Sequence, residues 1–169
     1  MPAPANPSIV VPLEQRLVSY FSEFHLSLAL AESCTGGLIA ERITSIAGAS
    51  VCFKGGVVSY ANEVKQALLG VSPAVLEIEG AVSETCAQAM ADGARRACQA
   101  DIGLSVTGIA GPGGATPAKP VGLVFIGVAT SKAISAKKFL FSGDRASIRQ
   151  QAADAALQLA LESAVGSGQ

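Results

Sequence analysis

A chain of 169 residues, with 12 lysines and arginines against 13 aspartates and glutamates, a net charge of -1, half its residues hydrophobic and no tryptophan, falls within the span of one domain and can bury a full core. The balanced charge, with no basic cluster interleaved with aromatics, argues against a nucleic-acid surface, and no run approaches the roughly 20 apolar residues of a membrane span. Cys34, Cys52, Cys86 and Cys98 are widely spaced, with no C-x-x-C pair and only His25 as an imidazole partner, which argues against a zinc site; no basic and then apolar leader is present, so the expected setting is a reduced cytoplasm.

Residues 1–12 form a Pro-rich lead that is expected to be disordered. Leu13, Leu17, Tyr20, Phe21 and Phe24 recur at helical spacing and predict a helix over 13–24. A strand follows over 26–31, where Leu26, Leu28 and Leu30 alternate with Ser27, Ala29 and Ala31, the pattern of a strand with one face close under a helix. Residues 31–37 then make a strand-to-helix turn, and 38–46 read as its helix. A second strand is expected over 51–60, interrupted at Gly55-Gly56, with Asn62 as N-cap of a helix carrying Val64, Lys65, Leu68 and Leu69 and ended by Gly70. Ser83 caps a long Ala-rich helix to residue 100, in which Gly93 marks a close helix contact. Residues 102–106 are a short buried strand that runs into a Gly- and Pro-rich loop reaching Pro120. Strands over 121–130 and 136–141 are separated by a short connection and predict an antiparallel pair, after which Asp144 caps a final helix from Arg145 to about residue 164, with Arg145 and Arg149 in its first turn. Helices and strands alternate and then end in a hairpin, which predicts a single-domain α/β fold, a three-layer α/β/α sandwich on a mixed sheet.

Ligands of open α/β sheets bind beyond the carboxyl ends of the strands. Three polar segments follow strands here: the turn around Ser33, residues 60–65, and residues 107–114. Parallel neighbouring strands would bring them into one pocket. The run Ala31-Glu32-Ser33-Cys34-Thr35-Gly36-Gly37 has two readings, a helix cap with a tight glycine connection or a site for a nucleophile or an anion at a helix N-terminus. Lys65 likewise has two readings, a lysine that snorkels to water or a buried, neutral amine that removes the Ser33 proton. The sole histidine, His25, precedes its strand at the end opposite Ser33, so a Ser-His-Asp triad does not fit, whereas a Ser-Lys pair does. Cys34 is the rival nucleophile, or inert packing. Glu32 could tune the lysine or orient a ligand, and Tyr60 could relay a proton, stack on a ring or pack at the sheet edge. Residues 108–114 are neither a dinucleotide fingerprint nor a P-loop; their amides could nest a phosphate or carboxylate, and Arg145, set against a helix dipole, would be relieved by an anion.

Taken in order, the segments Ala31-Glu32-Ser33-Cys34-Thr35-Gly36-Gly37, Gly55-Gly56-Val57-Val58-Ser59-Tyr60-Ala61-Asn62-Glu63-Val64-Lys65, Gly80-Ala81-Val82-Ser83, Ser105-Val106-Thr107-Gly108-Ile109-Ala110-Gly111-Pro112-Gly113-Gly114, Lys119-Pro120-Val121-Gly122 and Phe141-Ser142-Gly143-Asp144-Arg145 resemble the CinA-like family, whose stand-alone members include nicotinamide mononucleotide deamidases. The resemblance spans about residues 13–165 and implies an amidohydrolase domain that converts nicotinamide mononucleotide to nicotinic acid mononucleotide and ammonia, without metal or cofactor. It implies Ser33 as nucleophile and Lys65 as its base, with Tyr60, Asn62, Ser50, Thr107, the backbone from Gly108 through Ala110 to Gly111, and Arg145 around a small-molecule nucleotide. Thr35, Gly36 and Gly37, in the Ser33 turn, are further candidates for the ligand or the oxyanion. The chain departs from the family at Ala118, where an acidic residue is usual before Lys-Pro-Val-Gly, and at Ala115, where glycine is common. A non-catalytic nucleotide-binding or interaction module serving competence or DNA repair is the alternative. The apolar fraction and Ala-rich helices also suit a homo-oligomer.

Overall fold

In the computed structural model, which describes residues 10–167, five strands form one sheet: β1 (Leu28–Glu32), β2 (Phe53–Val58), β3 (Ile102–Gly108), β4 (Leu123–Ala129) and β5 (Ile134–Leu140). Their order is β2-β1-β3-β4-β5. β2, β1 and β3 run parallel, and β4 and β5 are antiparallel to their neighbours. Helices α1 (Leu13–Glu23), α2 (Leu38–Thr44) and α6 (Arg145–Ser167) cover one face; α3 (Asn62–Leu69), α4 (Pro73–Ile78) and α5 (Glu84–Ala97) cover the other. This is the expected three-layer α/β/α fold on a mixed sheet. The part of the Pro-rich lead at residues 1–9 lies outside the described residues, and 10–12 form no regular element.

The alternation in β1 explains how the layers differ. Every residue of β1 is buried because helices lie on both faces. Leu28 and Leu30 enter the core under α1, α2 and α6, whereas Ala29 and Ala31 face the second core with Met90 and Ala94 of α5. Small residues on that second face let α5 approach the sheet closely. A Cβ on Gly103 would overlap the Ala91 carbonyl, and one on Gly127 would overlap the Ala87 carbonyl. The Ser105 hydroxyl donates to Ala87 O across the same gap, at 2.5 Å. Gly93 makes the close contact its place in the Ala-rich helix predicts, since a Cβ there would overlap the Leu69 carbonyl of α3.

Several local expectations change. Gly55-Gly56 does not interrupt β2: the register shifts once, between Leu28 and Ala29, and pairing continues through Glu32↔Val58. Gly56 eases the pairing there, since a Cβ would sit 3.0 Å from Leu30 Cβ. Asn62 is not the N-cap of α3; the extended Ala61 holds that position and Asn62 is the first helical residue. Residues 71–82, given no element from sequence, contain α4, whose signal is Ser72-Pro73: Ser72 Oγ accepts from Ala74 N and the proline occupies the first turn. A single 3-10 turn (Ala49–Val51) precedes β2. All four cysteines are free thiols. No described helix is long and apolar enough to cross a membrane.

Candidate active site

Because β2, β1 and β3 are parallel neighbours, the segments that leave their carboxyl ends meet at one edge of the sheet. They line a cleft of about 250 Å³. Ser33 is the first residue beyond β1, and its N–H continues the ladder to Val106 O at 2.9 Å. On the other side, Ser59 N donates to Glu32 O at 2.8 Å. The backbone on either side of the Glu32-Ser33 junction is therefore fixed to both neighbouring strands.

Lys65 reaches this point from the first turns of α3 and is 1% exposed. Its Nζ lies 2.6 Å from Ser59 O, 3.4 Å from Tyr60 O and 3.1 Å from Ser33 Oγ. Burial lowers its pKa below the ordinary lysine range. Among the described residues no carboxyl group pairs with it. A neutral amine has two N–H donors and one lone pair. The two carbonyls can take the donors, which leaves the lone pair for the Ser33 hydroxyl. The snorkelling reading of Lys65 is thereby excluded in this structure. Cys34 is buried, and burial pushes its thiol up to about 11, so it stays protonated near neutral pH.

Glu32 has a role the sequence does not disclose. It is 2% exposed, and its carboxyl accepts from Gly37 N (3.0 Å), Ile39 N (3.1 Å) and Ala40 N (2.9 Å). It thus caps α2 from the strand before the turn, which neither tunes the lysine nor leaves it free for a ligand. Gly36 and Gly37, at φ of +58° and +97°, make the reversal that lets the chain fold back onto that carboxyl. Gly36 N is also engaged, with Ser33 O at 3.1 Å.

Tyr60 is 61% exposed and stands at the mouth of the cleft. Its hydroxyl accepts from Arg145 at 2.9 Å, while a second Arg145 nitrogen donates to Gly111 O at 2.8 Å. Arg145 thus links the two lips of the cleft without a carboxyl partner among the described residues. Asp144 caps the same helix through Ser147 N at 2.8 Å, as its position predicts. Thr107, buried, donates to Ala81 O at 2.7 Å and ties the segment before α5 to the floor.

Of the predicted site residues, Ser33, Tyr60, Asn62, Lys65, Thr107, Gly108, Ala110, Gly111 and Arg145 line the cleft together. Thr35, Gly36, Gly37 and Ser50 do not. Thr35 is fully buried behind the turn, and Ser50 lies in the 3-10 turn at the entry to β2, the opposite end of that strand from Tyr60. His25 is exposed ahead of β1, away from Ser33, as expected. Sequence reading missed Ala81 and Val82 in the lining, and it missed Arg149 as a partner of the Ser33 turn. The spacing of Arg145 and Arg149 was the available signal, since i and i+4 share one helix face.

A family model for the CinA C-terminal domain matches residues 10–164. A CinA-like protein of Acidobacterium capsulatum is 50% identical over 87% of this chain and 36% of its own length. A CinA-like protein of Geobacter sulfurreducens is 50% identical over 86% of this chain and 35% of its own. The chain spans about a third of the length of the curated relatives it matches. The crystal structure of the competence/damage inducible protein CihA from Agrobacterium tumefaciens superposes with a TM-score of 0.87 at 38% identity, covering 89% of this chain and 92% of that one. A CinA superfamily protein from Klebsiella pneumoniae gives 0.88 at 30% identity, covering 91% and 96%. With more than half its length matched by that domain and a fold shared over nearly the whole chain, this protein belongs to the CinA C-terminal domain family.

Proposed function

We propose that the chain is an amidohydrolase that converts nicotinamide mononucleotide to nicotinic acid mononucleotide and ammonia. The observation that carries this reading is the buried Lys65 amine, 3.1 Å from Ser33 Oγ and held by two backbone carbonyls. Ser33 Oγ attacks the carboxamide carbon while Lys65 takes the hydroxyl proton. The tetrahedral intermediate collapses as Lys65 returns that proton to the departing nitrogen, which leaves as ammonia and gives a nicotinoyl ester of Ser33. Water, deprotonated by Lys65, then attacks the ester carbon, and the acid departs as the proton returns to Ser33. Arg145 and the loop amides near Gly111 suit the phosphate, since both offer donors with no carboxyl partner. The scheme calls on no metal or organic cofactor.

Ammonia release from purified protein and nicotinamide mononucleotide tests the reading, beside Ser33→Ala and a small panel of other amides. Turnover of the mononucleotide that is lost in Ser33→Ala is the expected result. Equal release by Ser33→Ala overturns the nucleophile. Thermal stabilisation by the mononucleotide without ammonia release would instead favour a non-catalytic nucleotide-binding module. Release only from other amides would move the substrate.

A further inference from the structure

Among the described residues that line the cleft, two are basic, Lys65 and Arg145, and none is an aspartate or glutamate. The proposed reaction changes the charge held at the Lys65 end of that lining: a neutral carboxamide enters and a carboxylic acid is formed. A carboxyl group titrates near about 4, far below an amine. When the acid forms beside neutral Lys65, its proton therefore passes to Nζ, which leaves a carboxylate and an ammonium and needs no further reactant. The oxygen that Lys65 deprotonates in water becomes an oxygen of that carboxylate, so it forms within hydrogen-bond reach of Nζ. An ammonium has three donors. Two face Ser59 O and Tyr60 O, at 2.6 and 3.4 Å, and the third points to Ser33, which is half-buried and lines the cleft.

The other titratable groups around Lys65 supply no competing negative charge. Cys34, from the turn after β1, and Cys86, from α5, are pushed up to about 11 by burial and stay neutral. The Glu32 carboxyl, on β1, is held by three amides at the start of α2. The Tyr60 hydroxyl, beyond β2, accepts from Arg145, and Glu63, on α3 itself, is exposed.

We propose that Ser33 and Lys65 form a carboxylate-binding site that retains the product acid: nicotinic acid mononucleotide pairs with protonated Lys65, takes up a proton when it meets the neutral amine, and competes with the amide. This placement rests on the proposed reaction, which puts the carboxylate at Ser33. One proton then governs both events. With the proton on Lys65 the acid binds well and no base is present; with the proton off, the base is present and the acid binds weakly. Inhibition by product should therefore ease as pH rises through the Lys65 midpoint.

Calorimetric titration of Ser33→Ala, chosen to suppress turnover, with nicotinic acid mononucleotide and with nicotinamide mononucleotide tests this, in pairs of buffers that differ in ionisation enthalpy and across the Lys65 midpoint. Both ligands carry the same phosphate, which titrates near about 6, so its protons cancel in the difference. Below the midpoint the acid should bind about tenfold or more tighter than the amide, the scale of a charge-assisted hydrogen bond. Above it, the acid should take up close to one proton more than the amide does, and its Kd should rise about tenfold per pH unit. Adding Lys65→Met should abolish both the preference and the uptake. Equal affinities, or equal proton uptake by acid and amide, overturn the inference, as does a Lys65→Met protein that keeps the preference. Should Lys65→Met fail to fold, the proton count in Ser33→Ala decides alone.

The ammonia assay on wild type separates this site from the reaction that places it. Ammonia release without proton-linked binding of the acid overturns the carboxylate site and leaves the reaction standing. Proton-linked binding of the acid without ammonia release supports the site and overturns the reaction. Absence of both overturns the two together.

Discussion

The parallel and antiparallel halves belong to one continuous sheet, yet only one of them bears the candidate site. β2, β1 and β3 point the same way, so Ser33, residues 59–65 and residues 107–114 leave the sheet at one edge and converge. β4 and β5 double back through a tight connection closed by Thr130 N to Ala133 O, at 2.8 Å, and no residue of either strand lines the cleft. Strand direction, more than composition, decides where the polar segments gather. The antiparallel half instead lets α5 lie close at Gly127, where a Cβ would meet the Ala87 carbonyl.

Substitutions in the two halves should therefore separate activity from stability. The largest effect belongs to Ser33→Ala, which should reduce ammonia release on the order of 10⁴-fold or more with the melting temperature little changed. Lys65→Met should follow, with kcat down roughly 10²-fold or more for a lost general base. Wild-type turnover in Lys65→Met would break the division between the halves, since the parallel edge would then hold no base. Because burial lowers the Lys65 pKa, kcat/KM should rise with pH as the amine loses its proton, with a midpoint below the ordinary lysine value of about 10.4. The same shift has a consequence for stability. A depressed lysine pKa means that the unfolded chain binds more protons between the folded and unfolded values, so this group's contribution to stability grows as pH rises through that window, and the slope should vanish in Lys65→Met. In the antiparallel half, Gly127→Ala should cost about 2 kcal/mol by chemical denaturation through overlap with the Ala87 carbonyl, while KM stays unchanged. At the smallest end, Lys137→Ala on β5 removes a 3.5 Å pair with Glu162 whose side chains are 59% and 51% exposed, and the melting temperature should not move measurably.

Periodicity disclosed α1 and β1, whose apolar spacing marks residues they bury, while the Ser83 cap disclosed α5 and the short connection disclosed the β4-β5 hairpin. The pairing of Ser33 with Lys65 was legible for a chemical reason: one histidine at the wrong end of β1 leaves lysine as the candidate base. Glu32 was illegible because its role exists only after two positive-φ glycines turn the chain back, which places three amides 5, 7 and 8 residues downstream onto one carboxyl. That fold-back also decides the fate of Gly36 and Gly37, whose amides serve the turn itself. Asn62 has the composition of a cap, but the backbone enters α3 one residue earlier, and the carbonyl that accepts from Lys65 N belongs to Ala61. Ser50 follows the same logic at larger scale: a resemblance between sequences does not say which end of a strand a residue occupies, and Ser50 stands before β2 rather than after it.

The junction at Glu32 and Ser33 joins three elements within two residues: Glu32 O accepts from Ser59 beyond β2, the Glu32 carboxyl starts α2, and Ser33 N bonds β3. β2 is an edge strand, with pairing on one side only. Loosening of that edge would shift Ser59, and with it both the carbonyl that holds Lys65 and the backbone that holds Ser33, before the central strands part. The proposed activity should then fall before helix content does: on heating, the Ser33-Lys65 distance is set by an edge of the sheet, while helix content reports the bulk of the core.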